Sequence, residues 1–412
     1  RAPKRRRTPR ANNKMLHCVI VLSAGFIPTA TKPCSAAIPF ARSAVGPHAT
    51  APNDIHDDVD DVERQFQEME GTQASATVEN IKSRAPAEHA KKSAPVAALM
   101  EKHSFPLGLA QQAVASAKAF PIRFWIVDNS GSMGLPDGQK LAKDSTGTFK
   151  MIQATRWQEL LKDIEDAGTL SQTVGSRTEF YPINPVDNPP LVVTGDGQSG
   201  EVAAVCAGLG APHNGTPLAE TTKRVADKIA GMVEQSLLMP GEKACVVIAT
   251  DGEPNDKAAF KREVVRLGKL PVWLVFRLCT NDDNVIDYYN ELDEQVEASI
   301  EVIDDLQGEA QEIAQAGNTF ITYGPPMQLA REFGMKDQIF DVIDETKLLP
   351  SQIKTFCEAL LGCPSLPEPE LDPQAFLASI DEALALQPKV FDPISGEVQP
   401  WIKTGILKAN LS

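Results

Sequence analysis

Three short apolar runs punctuate the chain, and two of them stop abruptly on a carboxylate. Phe124-Trp-Ile-Val127, Ala244-Cys-Val-Val-Ile-Ala249 and Pro271-Val-Trp-Leu-Val-Phe276 carry no charge and are rich in β-branched and aromatic residues. Such runs predict strands buried on both faces. The first runs into Asp128-Asn-Ser130-Gly-Ser132 and the second into Thr250-Asp251-Gly252. Helical spacing lies between them. Phe149, Ile152, Trp157, Leu160, Leu161 and Ile164 predict one helix after an interrupted stretch over 134–147. Leu218, Val225, Ile229, Met232 and Leu237 predict another, closed by Pro240-Gly241. Lys257 to Leu267 suits a third helix, and the segments near Phe180 and Leu191 to Val193 suit short strands. Residues 195–215 are glycine-rich and read as loop. Strands alternating with helices imply parallel βαβ units. The expected fold class is α/β: a Rossmann-like doubly wound, mostly parallel central sheet with helices on both faces.

Beyond the third strand, Val285, Tyr289, Leu292, Val296, Ile300 and Ile303 predict a long helix, and Phe340 to Ile343 a short strand. The ten acids from Asp282 to Asp305, with no Lys or Arg among them, read as a solvated helix face. A docking surface for a basic partner is the alternative. A Pro-rich joint over 363–373 leads to a helix at about Gln374 to Leu386, and Trp401 is placed to tuck against the domain. Near the other end, Ile55, Val59, Val62, Phe66 and Met69 share one helical face amid eight acids from Asp54 to Glu70, an acidic amphipathic helix. The pattern divides the chain into a leader over 1–54, the acidic helix and linker over 55–96, a folded domain over 97–362 and a C-terminal extension over 363–412. No internal repeat is evident.

Charge and cysteines narrow the picture. A net charge of -15 argues against nucleic acid as a partner. Seven cysteines form an odd set without zinc spacing, and Cys245 and Cys279 lie in or beside apolar strands, which points to buried thiols and a reducing, cytoplasmic or intracellular setting. Met15 followed by the mostly apolar stretch to Ile27 resembles a signal or transit peptide, so organelle targeting or secretion stays open. That stretch is too short to span a bilayer, and no other run approaches about 20 apolar residues, so no membrane span is expected.

The chemistry sits in three separated pieces: Asp128-x-Ser130-x-Ser132, Gly215-Thr216-Pro217 and Thr250-Asp251-Gly252. Singly they are weak. Thr216 before Pro217 is an ordinary helix start, and Asp251-Gly252 an ordinary turn. In this order, each at a strand or helix boundary, they resemble the metal-ion-dependent adhesion site (MIDAS) of von Willebrand factor A (VWA) domains, over about residues 105–350. The resemblance implies that Asp128, Ser130, Ser132, Thr216 and Asp251 gather around a divalent cation, Mg²⁺ most readily, with Mn²⁺ or Ca²⁺ as alternatives. It implies that the hydroxyls bind directly and the two aspartates act largely through water. The cation would then accept an Asp or Glu carboxylate from a partner protein. Mg²⁺ favours six oxygens in octahedral geometry, which suits a hydroxyl-rich set. The interval from Asp128 to Thr216 is longer than in compact adhesion-type domains, so residues 134–147 are expected to form a flap beside the metal.

Enzyme motifs are not found. The sequence has no phosphate-binding Gly-x4-Gly-Lys-Ser/Thr loop, no Cys/His zinc cluster and no Gly-x-Ser-x-Gly elbow, so the expectation is a binding module and not an enzyme. Two other readings stand beside it. One is a scaffold or regulatory subunit of an ATPase- or chelatase-like assembly, using the acidic helices as contacts. The other is a metal-dependent hydrolase in which Asp128 is a nucleophile or ligand and His213 the acid or base.

Overall fold

The computed structural model describes residues 93–411 apart from 186–190, 281, 297–299 and 336. The leader with its Met15 stretch, the acidic amphipathic segment and nearly all of its linker lie outside the described residues. None of the described helices is long and apolar enough to cross a membrane.

Six strands make one sheet. β1 (Ile122–Val127) lies at its centre, paired in parallel with β4 (Arg177–Pro182) on one side and β6 (Ala244–Thr250) on the other. β7 (Val272–Leu278) and β8 (Ile300–Ile303) extend it in parallel, and β5 (Leu191–Val193) closes the β4 edge antiparallel, giving the order β5-β4-β1-β6-β7-β8. All six residues of β1 and all seven of β6 are buried. Because strand side chains alternate, these runs feed two cores. Trp125, Val127, Val247 and Val275 face one. Phe124, Ile126, Val246 and Phe276 face the other. The helices divide accordingly. α1 (Ala94–His103), α2 (Leu107–Ala119) and α3 (Arg156–Val174) cover the Trp125 face; α5 (Leu218–Glu234), following the short α4 (Glu201–Gly208), covers the Phe124 face with α6 (Lys257–Gly268) and α7 (Asp283–Gln295). This is the doubly wound α/β architecture expected from the sequence.

The remaining elements pack on the Trp125 side. They are α8 (Leu306–Gln315), α9 (Pro325–Glu332), α10 (Pro350–Leu361), α11 (Pro373–Leu384), the hairpin β9 (Val390–Asp392) and β10 (Glu397–Gln399), and α12 (Thr404–Leu411). Trp401 is fully buried in the same apolar cluster as Trp125. α10 crosses α2 so closely that a Cβ on Gly108 would lie 2.1 Å from the Ala359 carbonyl oxygen and 2.6 Å from the Gly362 nitrogen. Backbone cannot yield as a side chain can. Gly108→Ala is expected to lower stability by about 1–3 kcal/mol, measured as a shifted urea midpoint with unchanged m-value; an unshifted midpoint would mean the helices separate freely.

Several local expectations are corrected. Phe149 and Ile152 are not helical. They lie on β3 (Phe149–Ala154), which pairs antiparallel with β2 (Gly138–Lys143), and Ile152 is exposed. The helix starts only at Arg156, where Thr155 and Gln158 form a capping box, each side chain bonded to the other's backbone nitrogen at 3.1 Å. The hairpin turns on Asp144, whose carboxylate accepts from the nitrogens of Thr146 and Thr148, and on Gly147 at φ +82. Leu237 falls beyond the end of α5 and is 60% exposed. The glycine-rich stretch contains α4, and Ile300 and Ile303 leave the helix to form β8. Phe340 ends a 3-10 turn and belongs to no strand.

The acidic run from Asp282 to Asp305 is not one solvated face either. Asp282 and Asp305 cap α7 and α8, while Glu301 is buried against Arg331. Arg331 belongs to α9, whose last seven residues are all buried. Its guanidinium serves Glu301 at 2.8 Å, Asp344 at 3.3 Å and Glu309. Among the cysteines described, Cys245, Cys279 and Cys357 are buried and Cys206 and Cys363 half-buried, and none of the five is in a disulfide.

Candidate metal centre

The sheet places two strand ends together. β1 stops at Val127, so Asp128 emerges beside the end of β6, its backbone nitrogen still donating to the Ala249 carbonyl at 2.9 Å. Asp128 is fully buried. Its Oδ1 accepts from the Ser130 backbone nitrogen at 2.8 Å and its Oδ2 from the Thr250 hydroxyl at 2.5 Å. The chain then turns so that Ser130 and Ser132 face the same way, their hydroxyls 3.0 Å apart. The Ser132 hydroxyl donates to Asp251 Oδ1 at 2.9 Å. Asp128, Ser130, Ser132 and Asp251 therefore form one continuous set of oxygens at the carboxyl ends of β1 and β6, where open α/β sheets bind ligands.

Thr216 arrives on a separate loop. The Gly131 nitrogen donates to the Asn214 carbonyl at 3.0 Å, and the His213 nitrogen to the Asn129 carbonyl at 2.8 Å. Asn255 clasps the threonine: its Oδ1 accepts from the Thr216 nitrogen, and its own nitrogen donates to the Thr216 carbonyl. Among the described residues no hydrogen bond joins the Thr216 hydroxyl to the other four side chains. The loop is nonetheless fixed beside them. Asn129 is responsible for much of this, since its amide donates to the Asn184 and Leu209 carbonyls while its Oδ1 accepts from the Asn184 nitrogen. Asn184 in turn donates to the His213 and Gly215 carbonyls. His213 Nδ1 lies 2.8 Å from the Ala211 carbonyl, to which it donates.

Two further groups were not singled out in the sequence. Arg156, the first residue of α3, donates from Nη1 to Asp251 Oδ2 at 3.0 Å. Its Nε and Nη2 grip Asp137 in a bidentate pair at 2.7 and 2.6 Å. A guanidinium thus joins the base of the β2–β3 hairpin to the site. The hairpin does not seal the cluster, because Ser132 is exposed while Asp128, Ser130 and Asp251 are buried.

Burial controls the electrostatics. It pushes the Asp128 carboxyl up to about 6, against hydrogen bonds from Thr250 and Ser130 that favour the ionised form. It also raises Asp251, opposed chiefly by Arg156. Among the described residues no group of three or more His, Cys, Asp and Glu is gathered for a metal. The donors here are hydroxyls plus two carboxylates, a hard, all-oxygen set. Neighbouring oxygens in an octahedron of Mg²⁺–O length 2.0–2.1 Å stand about 2.9 Å apart. The Ser130–Ser132 and Ser132–Asp251 separations of 3.0 and 2.9 Å fit that edge. These residues suit a small hard dication.

No family model matches the chain, and no curated protein matches it. Among solved structures, the chain is similar to the manganese-loaded TRAP protein of Plasmodium vivax at 15% identity and a TM-score of 0.31, over 45% of this chain and 69% of that one. It is similar to the SpRpn10 VWA domain at 10% identity and a TM-score of 0.30, over 56% of this chain and all of that one. Likeness at this level carries neither site nor partner across. The sheet order and the site chemistry are read from this chain's own residues.

Proposed function

We propose that the chain is a VWA-type protein-interaction module that binds a partner carboxylate through a divalent cation held by Asp128, Ser130, Ser132, Thr216 and Asp251. The observation that carries this reading is the run of oxygens from Asp128 to Asp251 at two adjacent strand ends, open to the surface at Ser132. The hydroxyls would bind the cation without cancelling its charge. Asp251 is already shared with Arg156, so the cation would stay electrophilic towards an incoming carboxylate. Mg²⁺ and Mn²⁺ suit the set equally in chemistry. The module acts by binding, and the reading assigns it no catalytic residue.

The test is a pull-down from native extract with wild-type and Asp128→Ala chains, each in Mg²⁺ and in EDTA. Proteins retained only by wild type in Mg²⁺, and eluted by free acetate or aspartate, are the expected result. The same proteins in all four samples would sink the metal-dependent reading and move attention to the acidic segments. Mn²⁺ binding measured calorimetrically on the same two chains separates loss of the cation from loss of the partner.

A further inference from the structure

A cavity of about 420 Å³ opens on the same end of the sheet, beyond the metal cluster and separate from it. It lies between the β2–β3 hairpin, the first turns of α3, α9 and β9. Its walls are apolar: Leu141, Phe149 and Met151 from the hairpin side, Leu329 from α9, and Val390 and Phe391 from β9. Phe149 and Phe391 make a tilted ring contact, with centres 6.5 Å apart. A mostly apolar cavity with a few convergent polar groups is the usual form of a small-molecule site.

The lining of this cavity carries charge of both signs. At its floor Arg277 is almost wholly buried and contacts three carboxylates, Glu159 and Glu332 at 2.9 Å and Asp163 at 2.8 Å. One guanidinium against three carboxylates leaves an excess of negative charge where water is scarce. Glu332, itself 1% exposed, uses only Oε1, which accepts from both Arg277 and Gln328. Its Oε2 accepts no hydrogen bond among the described residues, and Glu332 lines the cavity. That oxygen is left open to a donor from an occupant of the cavity. Burial raises Glu332 and Asp163 above the usual carboxylate range. The lining also includes Lys102, Lys140 and Lys389, which make no ion pair among the described residues, and Lys143, which lies over the Phe149 ring.

We propose that this cavity binds a small amphipathic zwitterion, its amine against Glu332 and Asp163, its apolar body along Phe149, Leu141 and Phe391, and its carboxylate among the lysines. A simple fatty acid would leave the floor unsatisfied. A simple alkylamine would leave the lysines unused and repelling. The site needs no metal, so it stands or falls independently of the cation-dependent function.

Isothermal titration of the full chain with 8-aminooctanoate, octanoate and octylamine tests the assignment. The aminoacid is expected to bind at least about tenfold more tightly than either single-ended probe, as one charge-assisted hydrogen bond at each end implies. Glu332→Gln should erase its advantage over octanoate. Lys140→Ala/Lys389→Ala, at two side chains that make no ion pair among the described residues, should erase its advantage over octylamine. Leu141→Trp should block all three probes while leaving Mn²⁺ binding intact. Octanoate binding as tightly as the aminoacid overturns the inner-amine assignment; octylamine doing so overturns the lysine end; no heat from any probe overturns the site. If Glu332→Gln fails to fold, the lysine variant and the probe ranking in wild type decide.

Discussion

Arg331→Met is expected to cost about 3–5 kcal/mol of folding free energy at neutral to mildly alkaline pH, because it removes the guanidinium paired with three buried or partly buried carboxylates and leaves them uncompensated. Arg331 is 3% exposed and joins Glu301, Glu309 and Asp344 in one site, with the Tyr323 hydroxyl 3.4 Å away. The pH dependence follows from the direction of the shifts. Burial pushes Glu301 up to about 7 and Glu309 up to about 8, even with Arg331 pulling them down. Both folded values lie above the ordinary carboxylate value, so the native state holds protons that the unfolded chain has released. These two groups therefore reduce stability as pH rises from about 4.5 to 8. Without the guanidinium their protons are held still more firmly, and the loss with rising pH steepens. Urea denaturation at pH 5 and pH 8 should show a deficit at pH 8 that shrinks by half or more at pH 5. An equal deficit at both would mean that Arg331 acts by packing alone.

The second large effect concerns the cation. Arg156→Gln is expected to tighten Mn²⁺ binding at the candidate site by about tenfold, since a fixed positive charge beside a cation site opposes the cation by roughly 1–2 kcal/mol after screening. Arg156 holds Asp251 Oδ2 while Ser132 holds Oδ1, so the carboxylate divides its charge between the guanidinium and the cluster. Asp137, whose side chain is 57% exposed, fixes the guanidinium from the other side. Asp137→Asn should have a smaller effect of the opposite sign, because it removes a negative charge that offsets the guanidinium. Titration calorimetry with Mn²⁺, with Asp128→Ala as the non-binding control, reads both. Unchanged or weaker Mn²⁺ binding in Arg156→Gln would show that its positioning of Asp251 outweighs its charge.

These two residues mark the limit of what the sequence reveals. β1, β6 and β7 were legible because strands buried on both faces are written as unbroken apolar runs, and their ends locate Asp128 and Asp251 directly. The spacing of Phe149, Ile152 and Trp157 was misleading. Phe149 and Ile152, three apart, imitate a helical face, although Thr155 and Gln158 set the true start. Arg156 and Asp251 are 95 residues apart, and Asn129 and Asn184 are 55 apart. No local pattern joins such pairs; only the parallel order of the sheet brings them together. Likewise Glu301, one acid in a long acidic run, reads as solvated until β8 pairs with β7 and turns it onto Arg331.

The sheet ends on β5 and β8, strands of three and four residues. Edges that short leave few backbone groups available for strand-to-strand pairing, which limits polymerisation at high concentration. They also give an extended peptide little to gain by adding itself as another strand. On the proposed reading, recognition would fall to side chains at the tips of the strands and not to the edges of this sheet.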